Sequence, residues 1–182
     1  MRSNQFFKIS ALSFILLFVH IFSLNAQDNK AIKWYTFEEA IALNAKKPKL
    51  IFIDVFTEWC GWCKKMDAST FADLKVAEYM NKHYYCVKLD AEQSEPVNFM
   101  GKTYINPKAG EKRSTHQIAA VLLQNKMSYP SYVFMNEKNQ ILTVVKGFMT
   151  MENFDPVIHW FAERAYLTIP YKDYQESFNK PN

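Results

Sequence analysis

Hydrophobic positions along this chain fall into three kinds of pattern, each predicting a different kind of element. The densest is Leu50-Ile51-Phe52-Ile53, continued by Val55-Phe56 and broken only by Asp54. A short apolar run rich in β-formers predicts a buried strand, here from about Lys49 to Thr57. Tyr84 to Asp90 predicts a second strand. Ser131 to Met135 and Ile141 to Lys146 predict two more, joined as a hairpin by the polar loop Asn136 to Gln140. Helical spacing is the second pattern. Thr36 and Glu39 fit a capping box ahead of Ala40, Ile41 and Leu43, and Lys46-Lys47-Pro48 stops that helix. A helix is predicted from near Cys60 to about Ala68, interrupted from Ser69 to Asp73. A second piece, capped by Asp73, then carries Val76, Tyr79 and Met80. Thr115 to Gln124 (Ile118, Val121, Leu122) and Glu152 to Ala165 (Phe154, Ile158, Phe161) predict two further helices, the latter with Pro156 in its first turn.

The third pattern is the absence of one. Ala91 to Ser114 is polar, contains Pro96, Gly101, Pro107 and Gly110, and predicts a long excursion with one helical turn around Val97 to Met100. Thr168 to Asn182 reads as a polar tail, aromatic but unpatterned. The element order predicts an α/β fold with a central mixed sheet flanked by helices.

Composition narrows the class. The 182 residues are 49% hydrophobic and 16% aromatic, a globular balance with enough chain for one domain and a real core. Residues 1 to 26 read as a secretory signal. Arg2 and Lys8 form a positive start, Ile9 to Leu24 is apolar, and Ala26 precedes the cut, although Leu24 is larger than the small residue preferred there. An uncleaved N-terminal anchor is the alternative, but the run is short for a span and contains His20. Removing Arg2 and Lys8 from the 22 basic residues leaves 20 against 18 acidic ones, a net +2. That balance, with no basic run interleaved with aromatics, argues against nucleic acid. The predicted organisation is a signal peptide at 1–26, one domain at 27–167 with an insertion at about 91–114, and a tail at 168–182. The expected product is exported, periplasmic or otherwise extracytoplasmic, soluble and monomeric.

Three cysteines are too few for a disulfide scaffold. Cys60 and Cys63, two residues apart at a strand-to-helix turn, suit reversible dithiol–disulfide exchange: one sulfur attacks and its neighbour resolves the mixed disulfide. Free N–H groups at a helix start favour thiolate, so Cys60 reads as the nucleophile and Cys63 as the resolving thiol. A static disulfide or half of a metal site are the alternatives. His83 and His116 are isolated and read as surface or helix-end residues, so no metal site is expected. Trp59 is expected to pack beside the pair and shield it, and Trp62 to stand exposed as part of a protein-docking surface. Cys86, mid-strand, reads as a small buried apolar group.

Asp54, Trp59-Cys60-Gly61-Trp62-Cys63-Lys64, Lys88 and Pro130 together resemble the thioredoxin superfamily over about Trp34 to Tyr166. Cys63-Lys64-Lys65-Met66, Thr70-Phe71-Ala72-Asp73, Val87 to Glu92 and Gly147-Phe148-Met149 are similar to exported thioredoxin-like domains of the DsbD C-terminal type. The resemblance implies a thioredoxin-like fold with an insertion before the helix that precedes a cis-Pro turn. It implies that Asp54 is a buried acid taking the proton of the resolving cysteine, and that Lys88 pairs with it. An ordinary strand-edge lysine is the alternative at position 88. Tyr129-Pro130 matches the cis-proline turn beside which an extended substrate pairs. Trp59, Gly61, Trp62 and Gly147 would complete the substrate-binding surface, with Gly147 keeping the groove open. The Gly61-Trp62 dipeptide matches neither the Gly-Pro of reducing thioredoxins nor the Gly-His of isomerases, so no redox potential carries over.

The implied function is an exported thiol:disulfide oxidoreductase acting on protein thiols and disulfides. It needs no cofactor beyond its cysteine pair. The acid–lysine pair points to net reduction, which would require a membrane-linked electron donor. An oxidase or isomerase of the same fold, or a redox-inactive peptide-binding module, are the alternatives.

Overall fold

The computed structural model describes residues 31–180. The predicted signal segment therefore lies outside the described residues. Among the described residues no helix is long and apolar enough to cross a membrane.

Five strands form one mixed sheet: β1 (Trp34–Tyr35), β2 (Leu50–Phe56), β3 (Tyr84–Asp90), β6 (Ser131–Met135) and β7 (Ile141–Lys146), in the order β1-β3-β2-β6-β7. The first three run parallel, and β6 and β7 run antiparallel to their neighbours. The expected architecture is thus present, with β1 as an addition: two residues are too few to show a pattern. The helices are α1 (Phe37–Lys46), α2 (Gly61–Ala68), α3 (Leu74–His83), α4 (Gln117–Leu122), α5 (Met151–Ala162) and α6 (Tyr171–Phe178). Both halves of the capping box at α1 form: Thr36 N–H donates to Glu39 Oε2 and Glu39 N–H to Thr36 Oγ1. A 3-10 turn at Thr70–Ala72 separates α2 from α3, whose first amides donate to the Asp73 carboxylate.

Strand periodicity divides the interior in two. Ile51, Ile53 and Val55 face a core shared with Val87, Leu89 and Val133 and closed by Phe37, Ile118 and Leu122. Leu50 and Phe52 face the opposite core, shared with Cys86, Tyr132 and Phe134 and closed by Met66, Phe71, Met80, Phe154 and Ile158. Asp54 follows Phe52 by two residues and so belongs to the second face. Register places it directly opposite Lys88 on β3 and Tyr132 on β6.

Three expectations need correction. The excursion holds no helical turn at Val97 to Met100. It holds a hairpin, β4 (Val97–Phe99) and β5 (Lys102–Tyr104). Met100 and Gly101 both take positive φ, +50° and +75°, which suits a two-residue hairpin turn. Phe99 seats edge-on against Phe37, with ring centroids 5.1 Å apart, and fixes the hairpin to α1. The segment read as an unpatterned tail contains α6. Its aromatics Tyr171, Tyr174 and Phe178 recur at helical spacing, and Tyr171 packs against Trp160 of α5. Finally, Pro156 falls in the second turn of α5 rather than the first, so one intrahelical hydrogen bond is forgone there.

Candidate active site

β2 ends at Phe56, and the turn after it carries Trp59 and Cys60. Cys60 N–H donates to Thr57 O at 3.0 Å, and Cys60 is the N-cap of α2. Its Sγ accepts the Cys63 N–H at 3.1 Å. A sulfur in that place faces the unpaired amides and positive dipole end of a helix, which favours negative charge on it. The two cysteines form a disulfide with Cα atoms 5.3 Å apart. Both cysteines are buried in this disulfide form, Cys60 at 4% and Cys63 at 1% exposure.

The two tryptophans flank the pair differently. Trp62 is 56% exposed and tilts against Phe148 at 5.3 Å, with the Lys65 ammonium over both rings. Trp59 is 54% exposed, more a rim than the shield expected of it. Its ring meets Tyr129 edge-on at 5.8 Å, and its Nε1–H donates to Glu92 Oε1 at 3.0 Å.

Two residues before the end of β2 sits Asp54, 1% exposed. Its Oδ2 accepts from Lys88 Nζ at 2.6 Å, while Oδ1 is buried with no hydrogen-bond partner among the described residues. Burial raises the carboxyl and outweighs the lowering effect of Lys88, leaving a pKa of about 6. Lys88 is no edge residue, since β3 lies between β1 and β2. The Lys88 ammonium also pairs with Asp67 and lies over the rings of Trp34, Phe56 and Phe71. Sequence reasoning missed Asp67. The available signal was spacing, for Asp67 follows Cys63 by four residues and so shares its face of α2. Tyr132 was also missed as a polar group. Its wholly buried hydroxyl has no hydrogen-bond partner among the described residues, and Asp54 and Asp67 add to the burial that pushes its pKa up.

The Tyr129–Pro130 bond is cis. Among the described residues neither the N–H nor the C=O of Tyr129 has a hydrogen-bond partner. Gly147 N–H donates to Pro130 O at 2.9 Å, which ties the end of β7 to this turn. Gly147 has φ +90°, a conformation that selects glycine, and a Cβ there would meet no atom within 4 Å. Gly61 opens α2 and is likewise unobstructed. Asp54, Lys88, Cys60 and Cys63 are thus gathered at one end of the sheet, with Trp59, Tyr129 and Pro130 forming one connected wall beside them.

Cys86 is wholly buried, and burial pushes its thiol well above the usual range. His116 is a helix-end residue as expected but not a surface one: it is fully buried, caps α4 by accepting from Ile118 N–H, and contacts Glu95 O through Nε2 at 3.1 Å. Among the described residues no three His, Cys, Asp or Glu side chains converge as metal ligands.

Solved structures share this fold. A solved DsbH oxidoreductase matches with TM-score 0.52 at 18% identity, covering 74% of this chain and 85% of its own. A putative disulphide-isomerase from Bacteroides thetaiotaomicron matches with TM-score 0.50 at 26% identity, covering 71% of this chain and 90% of its own. Spermatogenesis-associated protein 20 of Mus musculus is 28% identical over 75 residues, 41% of this chain. The match spans only 10% of that relative's length. The Thioredox_DsbH family model, described as protein of unknown function, DUF255, matches residues 20–154. With its thioredoxin-like sheet and its cysteine pair at the head of α2, the chain belongs to the Thioredox_DsbH family.

Proposed function

We propose that this protein is an exported thiol:disulfide oxidoreductase that reduces disulfides in protein substrates. One observation carries the reading: the Cys60–Cys63 disulfide caps a helix directly after the strand that holds the buried Asp54–Lys88 pair.

In the dithiol form, the Cys60 thiolate attacks one sulfur of a substrate disulfide. A Cys60–substrate bond forms and the other substrate sulfur leaves as thiolate. Asp54 takes the proton from Cys63 Sγ, and the Cys63 thiolate attacks Cys60 Sγ. The Cys60–Cys63 disulfide closes, and the second substrate sulfur departs as thiolate and takes up a proton. Two electrons pass from the cysteine pair to the substrate. At neutral pH an acid titrating at about 6 is mostly ionised, yet still basic enough to accept this proton. The exposed Trp62 and the unpaired Tyr129 backbone support a peptide-binding surface around the pair. Export rests on the pattern of residues 1–26, and a reductant in that compartment would draw electrons from a membrane-linked dithiol donor.

Substituting Cys63→Ser should trap substrates on Cys60 as stable mixed disulfides. Equilibration with a glutathione buffer sets the direction: a potential close to −270 mV supports reduction, and one close to roughly −120 mV reverses it. An isomerase is the second reading, favoured by the likeness to the Bacteroides protein. A redox-inactive binding module would keep its partner and its cellular role after Cys60→Ser, whereas the oxidoreductase loses activity.

A further inference from the structure

The excursion after β3 returns against the turn that carries the cysteines, and it brings a cation with it. The guanidinium carbon of Arg113 lies 5.6 Å from the centroid of the Trp59 ring. With Glu92, Met127 and Tyr129, these two side chains line an open pocket of about 300 Å³ beside the cis Tyr129–Pro130 bond. The wall is tied down. Asn106 Nδ2 donates to Glu92 O and to Ser114 Oγ, and His116 N–H donates to Ala91 O.

Arg113 is held in a backbone conformation with φ +59°, which a non-glycine residue adopts only against a steric penalty. Its guanidinium carbon stands over the indole, and a guanidinium so placed can still offer N–H groups to a planar carboxylate. Among the described residues no carboxylate is within 4 Å of it. Glu92, on the same pocket, is engaged through Oε1 by the Trp59 N–H instead. Asp90, Glu58 and Glu95 gather on the Glu92 side, where their mutual repulsion adds to the burial that raises the Asp90 pKa. A bound acidic side chain would be turned away from that side and accepted at Arg113.

We propose that this pocket is a substrate subsite that takes an Asp or Glu side chain from the polypeptide lying along Tyr129, near the disulfide under attack. The proposal rests on the oxidoreductase reading and adds to it a substrate class. It also gives the insertion a purpose, that of a specificity wall next to the cysteines.

The test uses the reduced full chain and a series of short disulfide-linked peptides. Glu is moved through the two positions on either side of the cysteine, each peptide having a Gln counterpart. At one position the wild type should prefer Glu over Gln by about fivefold in kcat/KM, the worth of one half-exposed charge pair. The preference should shrink with added salt, fall to parity in Arg113→Gln and return in part in Arg113→Lys. No Glu preference at any position, or equal slowing of Glu and Gln peptides in Arg113→Gln, overturns the subsite while leaving the oxidoreductase reading intact. Failure of the wild type to reduce any peptide of the series overturns that reading and the subsite with it.

Discussion

The two faces of β2 are built from one run of residues and do different work. Ile51, Ile53 and Val55 meet aliphatic and aromatic neighbours, among them Tyr85, whose hydroxyl is satisfied by donating to Lys47 O at 2.9 Å. Phe52 and Asp54, on the other face, belong with Phe71, Tyr132 and Phe154, a lysine bridging two acids, and two buried polar atoms, Asp54 Oδ1 and the Tyr132 hydroxyl, that have no partner among the described residues. The first face can be understood from burial alone. The second carries a standing electrostatic cost, and such costs gather where chemistry is done.

That contrast can be broken at four points. The largest effect is expected on the inert face: Ile53→Ala should lower unfolding free energy by about 3 kcal/mol in denaturant titrations, with thiol chemistry unchanged. Loss of the redox reaction there would erase the distinction. On the other face the sign should reverse. Because Asp54 is raised to about 6, the native state holds its proton more tightly than the unfolded chain does. Stability therefore falls as pH rises from about 4 to 6, the window between the unfolded and folded values, and the deficit persists above it. Asp54→Asn should remove that slope and stabilise the protein at pH 7 by about 2 kcal/mol. It should also slow the attack of Cys63 on a mixed disulfide by about a hundredfold. A destabilised, fully active variant would contradict both statements.

Cys86 offers a smaller effect. It is wholly buried in the cluster on the aromatic side, so Cys86→Ser should cost about 1.5 kcal/mol through a buried hydroxyl, with the midpoint of the cysteine-pair couple unmoved. In the native protein Cys86 should also resist alkylation, while reduced Cys60 reacts. The smallest is Tyr132→Phe. Removing an unpartnered buried hydroxyl should raise stability by about 1 kcal/mol. A loss instead would mean that the hydroxyl is hydrogen-bonded in solution, and calorimetry decides between the two.

What could be read from the chain alone follows the range of the forces involved. The strand–cysteine–helix run, the capping box at Thr36 and the hairpin at Asn136 to Gln140 are local, and local patterns survive without the fold. Asp54, Lys88 and Pro130 were placed by resemblance, and the register then set Asp54 opposite Lys88. Asp67, Tyr132 and Arg113 drew no attention, and Glu92 drew it only as the end of a motif, because nothing near them in sequence says what they meet. The β4–β5 hairpin was missed because Met100 takes a turn conformation usually signalled by Asn, Asp or Gly. The helix at Tyr171–Phe178 was missed because its apolar face is purely aromatic and looked like composition rather than period.

The hydrogen bond from His116 N–H to Ala91 O, 2.7 Å long, joins the two ends of the excursion. A segment whose entrance and exit touch is closed before it is read, so its length costs the rest of the sheet little. It behaves as a cassette. A change inside it need not move the strand, the cysteines or Asp54, provided that Phe37 is still covered. Partner choice could then diverge independently of the redox chemistry.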